Sequence, residues 1–307
     1  MGLFSRKIVV ATHDGNFHAD DVFACAALSL WAEKNDKKLE IIRTRDGNEM
    51  KKADFVIDIG GIYNPDENAL DHHQKGGAGI RENGIPYASF GLVWKKYGNE
   101  ICGSSEIMKN IDQRLVAPVD ARDNGINIFK SLIEGVDEYS VRKLIKSFGP
   151  TWQDHVSEYN KKFNDALTTA RVILKNEISK AKALAEGEMK VLNEIKMQNE
   201  PNILMLDKKF QWEDVVSKFK NIKFVVYPAV HDGGNWCAEA GKDDPNDYSS
   251  DRIKFPENWR GLSGRNLAKA SGVEDAIFCH NNGWLCVAGT KEDALKMAEK
   301  VLQIRQN

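Results

Sequence analysis

Nowhere in this chain do two cysteines form a CxxC pair, and the five present, Cys25, Cys102, Cys237, Cys279 and Cys286, are odd in number. Neither a disulfide framework nor a zinc ribbon fits such a set, which predicts reduced thiols. Excess positive charge is also missing: 43 Lys and Arg stand against 45 Asp and Glu, for a net charge of -2. That balance argues against a broad basic face holding long nucleic acid by counterion release, but not against a short anionic substrate gripped by a few arginines. No apolar run is long enough to span a bilayer. The stretch "MGLFSRKIVVATH" enters an apolar strand at once and carries Arg6 where a myristoylation signal needs a hydroxyl. It predicts no leader, no lipid anchor and a cytoplasmic location. Walker A, HExxH and GxSxG patterns are absent, which leaves nucleotide triphosphatase, zincin and serine hydrolase readings without support. No internal repeat, low-complexity tract or RRM-like stacking module is visible.

What is present is a chain of 307 residues, 42% hydrophobic and 29% charged, long enough for two domains. The first third alternates strand-like and helix-like stretches, the mark of an α/β fold with a mostly parallel sheet flanked by helices. "KIVVATH", "LEIIRTR" and "ADFVIDIGG" read as strands, and "ADDVFACAALSLWAEK" reads as a helix with Val22, Phe23, Ala26, Ala27, Leu30 and Trp31 along one stripe. "YASFGLVWKKYG" and "SSEIMKNIDQRLVAPVDARDNG" are further helices, the second interrupted near Pro118. A charged helix is expected from about Asp154 to Glu186, as a spacer between domains or a cap on the first. A smaller mixed α/β domain follows, so the expected division is 1–187 and 188–307. In it "MKVLNEI", "NILMLD", "KFVVYPAV" and "NWCAEAG" read as strands and "QWEDVVSKFK" as a helix. "AIFCHNNGWLCVAGT" reads as a hairpin turning at Asn282-Gly283 with positive φ, and "KEDALKMAEKVLQIR" as a closing amphipathic helix.

Four clusters of acids and histidines, "THDGNFHADD", "VIDIG", "LDHHQ" and "PVDARDNG", fall where a strand or helix ends. Ligands gather at the carboxyl ends of strands in such sheets. Taken singly each has an ordinary explanation: Asp20 as a helix N-cap, Asp58 in an Asx turn, Asp120 and Asp123 as a helix end. Jointly they hold four of the chain's seven histidines, His13, His18, His72 and His73. One shared site accounts for them all. Imidazole and carboxylate without thiolate suit an octahedral divalent ion, with manganese favoured over magnesium. A bridging carboxylate, Asp58 or Asp20, would let two ions share an activated water. The segment "GGAGIRENG" after the histidines has two readings, a lid and a plain surface connection.

The order His-x4-His-x-Asp, then Asp58, then Asp71-His72-His73, then a later aspartate resembles the DHH phosphoesterase superfamily. With "VIDIGGIYNP" and "FPENWRGLSG" added, the chain resembles the melanocyte-proliferating-gene exonuclease family from about residue 8 to 302. The resemblance implies a manganese-dependent phosphodiesterase with a catalytic N-terminal domain and a substrate-binding C-terminal domain, acting 3'-to-5' on RNA. It carries His13, His18 and Asp20 onto the first ligand motif, Asp58 onto the second, His72 onto the third, and Asp120 or Asp123 onto the last. Many relatives have an aspartate where His18 stands, which bears on ligand number and metal preference.

Asp71 then orients a histidine, and His73 is a ligand or bonds a phosphate oxygen. Arg252, Arg260, Arg265 and His280 are the expected phosphate contacts in the second domain. The expectation is hydrolysis of a phosphodiester in a short RNA or oligonucleotide by water activated between two manganese ions, with magnesium as the substitute. The rivals are hydrolysis of a small phosphoanhydride or cyclic dinucleotide, and a metal-stabilised binding protein without turnover. A homo-oligomer is left open.

Overall fold

Ile8–Thr12 (β1), IVVAT, offers no charged position, and a run of this kind belongs inside a parallel sheet with both faces covered. The computed structural model describes residues 7–230, 233–247 and 249–304. The chain divides into two compact units, Met1–Lys182 and Ala183–Asn307.

In the first unit β1 lies between Leu39–Arg43 (β2) and Phe55–Ile57 (β3), parallel to both. Tyr63–Asn64 (β4) and Ala69–Leu70 (β5) complete a five-stranded sheet of order β2-β1-β3-β5-β4, in which only the β4 edge is antiparallel. The helices of this unit are Ala19–Lys34 (α1), the single turn Gly47–Met50 (α2), Ser89–Cys102 (α3), Ser105–Ile111 (α4), Ala117–Asp123 (α5) and Val141–Ser147 (α6).

The sequence predicts one apolar stripe on α1. Instead every residue from Ala19 to Leu30 is buried, because α1 is covered by the sheet on one side and by α3, α5 and α6 on others. Ala24, Cys25, Ala26 and Ala27 are small enough to allow that approach. The predicted break near Pro118 begins earlier: residues Asp112–Val116 form a π-helical turn between α4 and α5. Proline lacks the N–H that would close the regular ladder, and the wider turn absorbs the mismatch.

A 39-residue helix, Tyr159–Met197 (α7), runs past the expected end at Glu186. "MKVLNEI", read as a strand, is its last part. Val191 and Ile195 are four apart, so as a helix they present one buried face, and no proline stops the helix before them.

The second unit has a five-stranded sheet of order β6-β7-β8-β10-β9, built from Ile203–Met205 (β6), Phe224–Pro228 (β7), Trp236–Ala240 (β8), Ala276–Cys279 (β9) and Leu285–Ala288 (β10). Only β6 and β7 pair in parallel. Phe224 and Val226 enter one core and Val225 and Tyr227 another, as the two-residue period of a strand requires. Its remaining helices are Glu213–Val216 (α8), one turn where a longer helix was expected, Gly264–Ser271 (α9) and Lys291–Ile304 (α10). The β9–β10 hairpin forms as predicted, but only Gly283 takes a positive φ, 71°, because the connection spans residues 280–284 and is not a two-residue turn. Among the described residues no helix is long and apolar enough to cross a membrane.

Candidate metal centre

Four chain segments end at one place in the first unit. β1 delivers His13, and the start of α1 delivers His18, Asp20 and Asp21. Beyond β3 comes Asp58, beyond β5 Asp71, His72 and His73, and at the end of α5 Asp123.

Asp58 sits at the centre. Its Oδ2 lies 3.4 Å from His13 Nε2, and its Oδ1 lies 3.3 Å from His72 Nε2 and 3.5 Å from His73 Nδ1. Ser89 Oγ donates to the same Oδ1 at 3.2 Å. Its backbone is left-handed, φ 60°, a conformation that aspartate tolerates better than most residues and that turns the carboxylate back over the strand end.

His72 Nε2 also faces Asp123 Oδ2 at 3.1 Å and Asp20 Oδ2 at 3.9 Å. The Asp20 carboxylate is held in place by the backbone N–H groups of Ser89 and Phe90, at 2.9 and 2.7 Å. His13 Nε2 lies 3.4 Å from Asp21 Oδ2, and Asp21 Oδ1 accepts the backbone N–H of His18 at 2.7 Å. The donor atoms of His13, His18 and Asp21, of Asp58, His72 and His73, and of Asp20, His72 and Asp123 each lie within 4.8 Å of one another.

Asp71 does not face the group directly. Its Oδ1 accepts the backbone N–H of His72 and of His73 and is paired with His73 Nδ1 at 2.7 Å, while its Oδ2 accepts the Gly61 N–H at 2.6 Å. One carboxylate therefore sets the turn that brings two successive histidine rings to the same side, 4.3 Å apart between centroids.

Burial and mutual repulsion shape the ionisation here. Burial raises Asp20 well above the carboxylate range, and Asp58, Asp123 and Asp120 add to the rise. Burial also lifts Asp21 to about 7, against the pull of His13. Burial acts to raise Asp58 too, but ion pairing with His13 and His72 overcomes it and holds that carboxyl below its usual range. The imidazoles answer in kind. Burial lowers both, yet Asp58 and Asp21 bring His13 up to about 9, and Asp123 and Asp58 bring His72 up to about 11. Buried carboxylates so close together require positive charge, which imidazolium or a divalent cation supplies. The donors suit a cation: His72 Nε2 and Asp21 Oδ2 are buried without a hydrogen-bond partner while facing their neighbours. The residues present therefore fit a divalent ion.

Two residues expected at the site are engaged elsewhere. Asp120 is turned out of the group: its Oδ1 accepts the Gly91 N–H at 3.1 Å and its Oδ2 pairs with Arg81 at 2.7 Å. Gly91 makes this possible, since a Cβ there would fall 1.8 Å from Asp120 Oδ2. Arg252 is not a free phosphate contact. Its guanidinium is buried and donates to Asp243 and to the carbonyls of Val216, Ser217, Phe219 and Ile222. The four carbonyl bonds hold the end of α8 and the turn after it together. Arg252→Ala is expected to cost the second unit about 2–3 kcal/mol by stranding those carbonyls. A urea melt with an unchanged midpoint would return Arg252 to the surface.

Arg260 donates Nε to the Phe255 carbonyl at 2.9 Å, and His280 Nδ1 accepts the Asn282 N–H at 3.1 Å with its ring 5.0 Å from Trp284. Arg265 is exposed on α9. These three belong to the second unit.

Asp21 and Arg81 escaped the sequence reading. For Asp21 a signal existed: it stands three residues after His18, where a capping acid bonds back to the cap's N–H. For Arg81 there was none. The segment around it, read as a lid or a plain connection, is a tight turn with an Ile80–Pro86 bridge, fastened by Arg81 to Asp112 and Asp120.

A cleft of about 940 Å3 opens on the group, lined by His13, His18, Asp58, Asp71, His73 and Asp123 and also by Arg45, Arg122 and Arg142. Acidic and imidazole donors and arginines lining one cleft are the groups that a metal-dependent hydrolase uses. A family model described as "Uncharacterised protein family (UPF0160)", MYG1_exonuc, matches residues 9–302, so the chain belongs to the MYG1 exonuclease family. MYG1 exonuclease of Rattus norvegicus is 29% identical over 96% of this chain and 85% of its own length, and that of Homo sapiens 28% over 96% and 86%. The MYG1 protein of Chlamydia pneumoniae is 29% identical over 96% of this chain and 97% of its own. Solved structures similar to the chain include the pGpG-specific phosphodiesterase PggH from Vibrio cholerae, 11% identical over 98% of both chains with a TM-score of 0.29. RecJ with Mn2+ from Thermus thermophilus is 11% identical over 97% of this chain and 52% of its own, TM-score 0.28. Overlays this loose bear on neither fold nor function.

Proposed function

We propose that the protein is a divalent-metal-dependent phosphodiesterase, a 3'-to-5' exonuclease on RNA or short oligonucleotides, working from the cleft of the first unit. The observation that carries this reading is the convergence of His13, Asp58, His72 and Asp123 below arginines. Kinship with proteins named MYG1 exonuclease supports the substrate class. His13, His18 and Asp58 would hold one manganese ion and Asp20, Asp58, His72 and Asp123 a second. Bound there, such ions supply Lewis acidity that activates water and offsets charge growing on phosphorus oxygens.

The chain's own groups do the rest. Arg122, which lines the cleft, binds the scissile phosphate's oxygens in the two-point manner of a guanidinium. Asp71 accepts the Nδ1–H of His73, so Nε2 of the neutral ring presents a lone pair to an ion or to a proton of the attacking water, and it donates to a phosphate oxygen only as imidazolium. Asp20 is held by two backbone N–H groups and so keeps its place without help from the substrate.

With a labelled oligoribonucleotide and manganese, products are expected to shorten one residue at a time from the 3' end. Chelation should stop the reaction and added manganese restore it, with magnesium a weaker substitute. Tight binding with no cleavage under these conditions would replace this reading by that of a binding protein, and turnover in excess chelator would remove the metal from it.

A further inference from the structure

Beside the main cleft is a smaller hollow of about 300 Å3, bounded by Phe17, Ala19, Arg142, Lys146 and Pro150. Asn16, His18 and Arg142 line both cavities, so the hollow continues directly from the candidate metal centre. Arg142 and Lys146 stand four positions apart on α6 and so share a face of that helix. Both are exposed, and among the described residues neither is paired with a carboxylate. The lining is mixed: Asn16, His18 and the two cations are polar, and Phe17, Ala19 and Pro150 are apolar. Cations for a phosphate, with hydrogen-bonding groups and the Pro150 ring for a nucleoside, match the two halves of a nucleotide.

We infer that this hollow is a second nucleotide subsite: Arg142 and Lys146 take the phosphate next to the scissile one, and its nucleoside rests against Pro150. The inference rests on the phosphodiesterase reading above and adds a specificity to it. A ligand with two successive phosphates binds better than one with a single phosphodiester, because only the former reaches both cavities. Chain ends lacking that neighbouring phosphate are correspondingly poor substrates.

The test uses the full chain, calcium in place of manganese so that binding is read without turnover, and two ligands, pApA and ApA, titrated by calorimetry. Wild type should prefer pApA by about tenfold or more, the scale of one charge-assisted contact. Arg142→Ala and Lys146→Ala should each reduce that preference, and the double variant should remove most of it, with Arg142→Lys retaining part. Lys146→Glu, at an exposed position, serves as an independent variant should the double one fold poorly. An equal affinity of wild type for the two ligands, or a double variant with undiminished preference, overturns the subsite. A wild type that shows the preference yet cleaves neither ligand in manganese refutes the exonuclease reading and supports the subsite, so the two failures are distinguishable.

Discussion

Asp58→Asn lowers manganese-dependent hydrolysis of a labelled oligoribonucleotide by about a thousandfold or more, while the melting temperature moves by only a few degrees. Asparagine keeps the shape, tolerates the left-handed φ of 60° and can still accept from Ser89 Oγ, so the backbone and its immediate bonding persist. Only the charge is lost. That charge faces His13 Nε2 and His72 Nε2, at 3.4 and 3.3 Å, and on the present reading belongs to both ions. Binding of manganese, followed by electron paramagnetic resonance, should weaken in parallel with activity. Asp58→Ala would confuse the result, since alanine at positive φ adds strain of its own. Unimpaired turnover by Asp58→Asn would take this carboxylate out of the centre.

Arg81→Met is expected to destabilise the first unit by about 3–5 kcal/mol, because it leaves a buried carboxylate without its counter-charge. Arg81 is itself buried, pairs with Asp120 at 2.7 Å and bonds Asp112 at 3.1 and 3.0 Å. Burial already pushes Asp120 up to about 7 against the pull of Arg81, and without the arginine it must rise further. A carboxyl raised in the folded state favours folding at low pH and loses that contribution as pH rises through its folded pKa. The deficit of Arg81→Met relative to wild type should therefore be larger at pH 8 than at pH 5. Urea melts at the two values measure it, and an equal deficit at both would show that Asp112, not Asp120, is the partner that matters. Asp120→Asn in the same background should recover part of the loss at pH 8. Since Asp120 is one turn from Asp123 on α5, activity should fall as well.

How far the residues alone reveal this arrangement varies with the kind of interaction. β1, α1, β3 and the final helix are legible because each is a run whose apolar period is local. "MKVLNEI" misleads because Val191 and Ile195 suit a strand or a helix, and only the sheet they pack against distinguishes them. The His and Asp clusters could be recognised as one site because each falls where a strand or helix begins or ends. Asp120 and Asp123 could not be separated: three residues apart on a helix, they point nearly the same way. The choice between them was made by Gly91, which leaves room for one carboxylate, and by Arg81, which neutralises it. Arg252 likewise looks like any basic residue beside a turn until its carbonyl partners are seen.

By itself the amino-acid order determined the alternation of strands and helices, the family, and the set of imidazoles and carboxylates from which a metal centre could be drawn. These follow from spacings of a few residues and from composition. The tertiary structure alone decided which of those groups face one another, which are consumed by backbone N–H groups or arginines, and where the unpaired cations lie. Such facts depend on distances between segments far apart in the chain, and the angstroms that separate a ligand from a buried ion pair are set by packing.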